Sequence, residues 1–157
     1  MSDAPLTVRR ARASDIEAIA EAARIMAVET EGKHFEAATV LRGVRTVLEE
    51  PHRGFYLVAE RDGRIVGQLG VTFEWSDWRA ADWWWVQSVY VAPEARRQGV
   101  FRALHEQLLE EARLAGRLCG IRLYFERENR TAQATYEALG FRPADYHMYQ
   151  ITFLDDH

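Results

Sequence analysis

Hydrophobic positions along the chain alternate between a period near two and a period near 3.6, and the switches mark the elements. Leu6 to Arg10 reads as a short first strand. Ser14 and Glu17 have the spacing of a helix-opening capping box, and Ile16, Ile19, Ala20 and Ala23 follow as an apolar stripe that ends before Gly32. A second helix is predicted from Phe35 to Glu50, with Val40, Leu41, Val44, Val47 and Leu48 at helical spacing and Pro51 and Gly54 closing it. The middle of the chain is strand-rich. Phe55–Glu60 and Ile65–Trp75 flank Asp62-Gly63, a strong hairpin signal, and Trp83–Val91 is aromatic and β-branched. An amphipathic helix from Gly99 to Ala115 turns Leu104, Leu108 and Leu109 inward. A strand at Ile121–Phe125, a helix at Thr131–Leu139 stopped by Gly140, and a strand at Tyr146–Phe153 complete the pattern.

Helices both precede and interrupt the strands, so the expected fold is α/β, with a single mixed, twisted central sheet flanked by helices. The 157 residues suit one domain, residues 1–157, with no linker, repeat or low-complexity tract. No apolar run reaches the ~20 residues of a membrane span, and the first residues lack the apolar core of an export signal. One cysteine, Cys119, precludes an internal disulfide, and the expected location is cytoplasmic. One Cys and five scattered His give no metal-ligand spacing, so no metal is expected. A net charge of -4 argues against a nucleic-acid partner.

Charge is nevertheless uneven: the stretch from Arg96 to Arg102 reads RRQGVFR. It follows a predicted strand and leads directly into a long helix, where unsatisfied main-chain N–H groups and the helix dipole favour an anion. Gly99 permits close main-chain approach, and Arg97 and Arg102 would add charge-assisted contacts. A tight turn with solvated arginines is the alternative reading of these residues.

The segment VYVAPEARRQGVFRALHEQLL resembles the acyl-CoA-binding motif of the GNAT N-acyltransferase superfamily, whose loop is Arg/Gln-x-x-Gly-x-Gly/Ala. Phe101 departs from it, standing where the family has a small residue. Downstream, NRTAQATYEALGF (residues 129–141) is similar to the family's Asn-x-x-Ala-x-x-x-Tyr-x-x-x-Gly-Phe. The resemblance implies a GNAT-like acyltransferase fold and transfer of an acetyl group from acetyl-CoA to a primary amine of a small molecule or peptide, by direct attack in a ternary complex. A protein N-terminus or lysine as acceptor, or a non-catalytic CoA-binding domain, remain alternatives. It also implies coenzyme contacts from Val89 and Val91, from Arg96, Arg97, Gln98, Gly99, Val100, Phe101 and Arg102, and from Asn129. Tyr136 is then the candidate general acid for the departing sulfur.

For the amine's proton, Glu74 and Glu126 are the candidate carboxylates, with a relay water held by Gln87 and Ser88 as the alternative. Glu29 and Glu31 close the first helix with negative charge where its dipole disfavours it, which makes them candidate acceptor contacts. Trp75, Trp78, Trp83, Trp84 and Trp85 exceed what one strand face can bury. Trp75 and Gln87 are accordingly expected at the acceptor site, though a homodimer interface accounts for the tryptophans equally well.

Overall fold

The computed structural model describes residues 3–154. The elements run β1 (Thr7–Arg10), α1 (Ile16–Glu31), α2 (Ala37–Glu49), β2 (Gly54–Arg61), β3 (Arg64–Ser76), β4 (Ala81–Val91), α3 (Val100–Ala115), β5 (Leu118–Leu123) and α4 (Arg130–Ala138). The strands form one sheet in the order β1-β2-β3-β4-β5, antiparallel except for the parallel β4–β5 pair. The α/β class with one mixed sheet flanked by helices is the observed architecture.

Each face of the sheet is closed by its own core. On one side Leu104 and Leu108 of α3, with Val100, pack on Phe55, Leu57, Leu69, Val71, Trp84 and Val86. On the other side Ile16, Ile19 and Ala20 of α1 and Val44 of α2 cover Val58. The period-two alternation of β2 makes both possible, because Leu57 and Val58 point to opposite faces. The hairpin at Asp62-Gly63 forms as expected, with positive φ at both residues (53° and 71°), which matches the twist of the flanking strands.

Four local expectations are corrected. Asp15, rather than Ser14, organises the start of α1: its carboxylate accepts from the Arg12 main-chain N–H (2.9 Å) and from both guanidinium nitrogens of Arg9 (2.7 and 3.1 Å). Arg9 also reaches Glu60 on β2, at 2.8 Å, so the helix start is tied to the sheet. Leu109 is exposed, because the buried face of α3 is set by Val100, Leu104, His105 and Leu108. The last predicted strand does not form: residues 142–154 pair with no strand and are exposed throughout. β5 itself lies a few residues earlier than expected.

Candidate active site

The central strands part at one place. Val71 of β3 faces Val86, yet its neighbour Gly70 faces Ser88, so Gln87 is an extra residue in β4 and forms a bulge. Up to Val86, β4 is also paired with β5, whose last partner is Leu123. Beyond the bulge β4 continues along β3 to Val91 while β5 diverges. The main chain of residues 87–91 thus lacks a ladder partner on that side.

A cleft of about 660 Å³ occupies this split. Val89 and Val91 form one wall and Phe101, Asn129 and Tyr136 another, with Gln87 and Ser88 at the bulge. Glu29 and Glu31 line it from the end of α1, which packs on the opposite face from α3. The cleft therefore connects both faces of the sheet. Leu123, Phe125, Glu126, Glu128 and Thr135 also line it and, except for Glu126, have no distinguishing signal in the sequence.

At the head of α3, Arg97 and Gly99 adopt left-handed conformations with φ of 62° and 80°. Such a backbone costs a residue like Arg97 on the order of 1–3 kcal/mol, and strain of this kind gathers at functional sites. Among the described residues, the main-chain N–H groups of residues 97–102 find no acceptor. A Cβ added to Gly99 would meet no protein atom within 4 Å. Unsatisfied N–H groups at a helix N-terminus, beside open space, suit a diphosphate.

The side chains of this loop divide their tasks. Arg96 donates to the Val91 carbonyl (2.9 Å) and to Glu29 (2.8 Å), so it ties the loop to β4 and α1. Gln98 donates to the Glu94 carbonyl (2.8 Å) and accepts from Arg61 (2.7 Å). Val100 is buried in the core and offers only its main chain. Arg97 is exposed, and the exposed Arg102 has only an i,i+4 pairing with Glu106 at 3.3 Å. The Arg96 and Gln98 side chains thus brace the loop against neighbouring elements.

Tyr136 sits in an aromatic cluster. Its ring stacks on Phe125 (5.8 Å) and meets Phe101 and Phe141 edge-on (6.0 and 5.7 Å). Burial raises the phenol above its ordinary range, so it keeps its proton at neutral pH. Phe101 also faces the buried His105, which burial holds toward its neutral form. His105 escaped the sequence reading, although Phe101 and His105 share the i,i+4 spacing of a helix face. Asn129 caps α4, its side chain accepting from the Ala132 N–H at 3.0 Å.

Several expected positions lie elsewhere or are already engaged. Glu74 lines neither this cleft nor its neighbour, and its carboxylate accepts from Arg122 at 2.9 Å. Trp75, beside the turn between β3 and β4, is 63% exposed and also lies outside both clefts. Glu29 lines the cleft but is paired with Arg96, which accounts for a carboxylate at a helix C-terminus. The tryptophans separate by face. Trp84 is 5% exposed in the core, and Trp83 lies under the Arg122 guanidinium at 3.6 Å. Trp85 lines a second, apolar cleft of about 510 Å³, whose walls include Leu123, Phe125 and Tyr136. Among the described residues no cluster of His, Cys, Asp and Glu is placed to hold a metal, and no helix is long and apolar enough to cross a membrane.

A split central strand pair, a bulge at the split and an unsatisfied loop leading into a helix define an acyl-CoA-dependent transferase scaffold. The GNAT acetyltransferase family model matches residues 16–141, and the chain belongs to that family. A possible acetyltransferase from Clostridium difficile 630 is 37% identical, with 96% of this chain and 99% of that one covered and a TM-score of 0.89. Two more distant structures share the fold. One is a ribosomal-protein-alanine N-acetyltransferase from Brucella melitensis biovar Abortus 2308 (18% identity, 95% and 99% covered, TM-score 0.75). The other is the aminoglycoside N-acetyltransferase AAC(6')-Iy in complex with CoA (15% identity, 96% and 97% covered, TM-score 0.79). No curated protein matches the chain.

Proposed function

We propose that this protein transfers an acetyl group from acetyl-CoA to a primary amine on a cationic small molecule or peptide, by direct attack within a ternary complex. The observation that carries this reading is the cleft in the split of the sheet, lined by Phe101 from the loop with unsatisfied main-chain N–H groups and by the carboxylates of Glu29, Glu31, Glu126 and Glu128. As a substrate, acetyl-CoA brings an anionic diphosphate, a thioester carbonyl and a sulfur leaving group. The N–H groups of residues 97–102 hold the diphosphate, with Arg97 and Arg102 supplying charge. The unpaired edge of Val89–Val91 orients the pantetheine arm, and Asn129 stands beside its path. Gly99 keeps the approach open.

Tyr136, protonated at neutral pH, donates to the sulfur as it departs. Glu31, Glu126 and Glu128 face the same cleft and give the acceptor end a negative potential that favours a cationic amine. Glu126 replaces Glu74 as the carboxylate that receives the amine's proton, because Glu126 lines the cleft and Glu74 is held by Arg122 outside it.

The test is thiol release from acetyl-CoA by purified protein across diamines, amino sugars and short peptides, with calorimetry of CoA binding alongside. Turnover that favours multiply cationic amines is expected. Tight CoA binding without turnover on any amine would leave a coenzyme-binding domain and overturn the transferase reading.

A further inference from the structure

We infer that Arg61, the last residue of β2, is a positioning residue that holds the loop at 97–102 in its ligand-receiving shape before any ligand arrives, an inference that rests on the proposed use of that loop as the coenzyme's anion site. Along this loop, anchored and strained residues alternate. Ala95 is 3% exposed in the core, and Arg96 is fixed to the Val91 carbonyl and to Glu29. Arg97 then takes its left-handed φ of 62°. Gln98 is fixed again, Gly99 is left-handed, and Val100 is buried. Glycine adopts such a φ freely, whereas an arginine keeps it only where the surrounding structure over-determines it.

Before Arg97, the two bonds of Arg96 supply that constraint. After it, the constraint comes through the Gln98 amide. The amide nitrogen donates to the Glu94 carbonyl at 2.8 Å, four residues back, a contact that moves with the loop itself. The amide oxygen accepts from Arg61 at 2.7 Å, across 37 residues of chain, and this is the side-chain bond that ties Gln98 to the sheet. Arg61 has no other visible task. It is half-buried, forms no ion pair among the described residues, and its Nε is buried without a partner. Removing a guanidinium from water to serve one neutral amide is costly, and a cation placed only to secure the fold is ordinarily paired with a carboxylate. The hairpin delivers it rigidly, because Arg61 faces Arg64 directly across the turn at Asp62-Gly63. With both flanks tethered, the main-chain N–H groups of the loop converge without help from a ligand. A loop that held this shape a tenth of the time would bind roughly tenfold more weakly.

Arg61→Gln, which shortens the side chain and removes its charge, tests this in three readouts. In the absence of ligand, trypsin should cut after Arg96 and Arg97 about tenfold faster than in wild type, the bonds being identified by mass spectrometry. In calorimetry the Kd for CoA should rise roughly tenfold. In a background carrying Arg97→Gly, where glycine takes the left-handed backbone unaided, adding Arg61→Gln should change that Kd by less than about twofold. Equal cutting and equal CoA affinity in wild type and Arg61→Gln overturn the inference. So does a tenfold loss of affinity that persists in the Arg97→Gly background, which would make Arg61 a direct contact or a general prop. If Arg61→Gln does not fold, Gln98→Ala breaks the same bond from the loop side and must reproduce the faster cutting and the weaker binding. The cutting assay needs no coenzyme. Wild type that binds no CoA, yet loses loop protection in Arg61→Gln, would sink the coenzyme reading and leave the tether standing.

Discussion

Every buried residue lies at or before Leu108; from Leu109 to Leu154 none of the described residues is buried. The first region holds β1–β4 and α1–α3 and closes a core on each face of the sheet. The second holds β5, half-buried along its length, α4 without a buried side chain, and an exposed arm. Yet Tyr136, Asn129 and Glu126 all belong to the second region. Under the proposed function, stability and chemistry are segregated: a packed scaffold presents the loop at 97–102, and a loosely buried region would supply the groups that close on ligand. Sites that must admit and release substrate are drawn from the less stable end of a structure.

The strongest way to probe this division is Tyr136→Phe, which removes a hydroxyl and keeps the ring cluster. Turnover should fall roughly 10²- to 10⁴-fold while CoA affinity stays nearly constant. Loss of both in the same variant would make Tyr136 a packing residue and blur the contrast. Because burial raises its pKa, the phenol stays protonated through neutral pH. Any alkaline loss of turnover owed to Tyr136 should begin only above its ordinary value of about 10.

A direct stability comparison pairs Leu104→Ala with Leu139→Ala. Leu104 is fully buried, and its truncation should cost about 2–5 kcal/mol in urea unfolding. Leu139, at the end of α4, should cost less than about 1 kcal/mol. Equal costs would show that the second region is as tightly packed as the first.

Smaller effects separate the two acidic residues of α1. Glu31→Gln should raise the acceptor's KM roughly threefold to tenfold, up to about 1.4 kcal/mol, with the coenzyme's KM unchanged. Glu29→Gln releases Arg96, so its effect should fall on coenzyme affinity instead. The reverse pattern would contradict the placement of the two ends of the cleft.

The smallest effect concerns Asp15, whose carboxyl is held below its ordinary range chiefly by the hydrogen bonds from Arg9. A depressed folded-state pKa stabilises above the unfolded value, about 3.9, and is lost as pH falls through the lower folded value. Asp15→Asn should therefore reduce stability by on the order of 1 kcal/mol at pH 7 and flatten the acid limb of an unfolding-versus-pH curve. An unchanged limb would remove this ion pair from the account of how α1 is anchored.

The sequence by itself determined the elements that local patterning controls. Period-two runs marked β2, β3 and β4, the 3.6 period marked α1 to α4, and Asp62-Gly63 marked a hairpin that needs two positive φ angles. The loop at 96–102 and the segment at 129–141 were legible because their glycine, cap and aromatic positions have fixed local spacing. Only the tertiary structure decided which side chains are free to act. Arg96, Gln98, Glu29 and Glu74 are spent on partners far away in the chain, and hydrogen bonds across 37 to 67 residues leave no trace in local pattern. The same reason overturned the strand expected at Tyr146–Phe153: its residues have strand propensity, but pairing needs an adjacent edge and residues 142–154 pair with none. Strand propensity is local, whereas an edge to pair with is supplied by the assembled sheet.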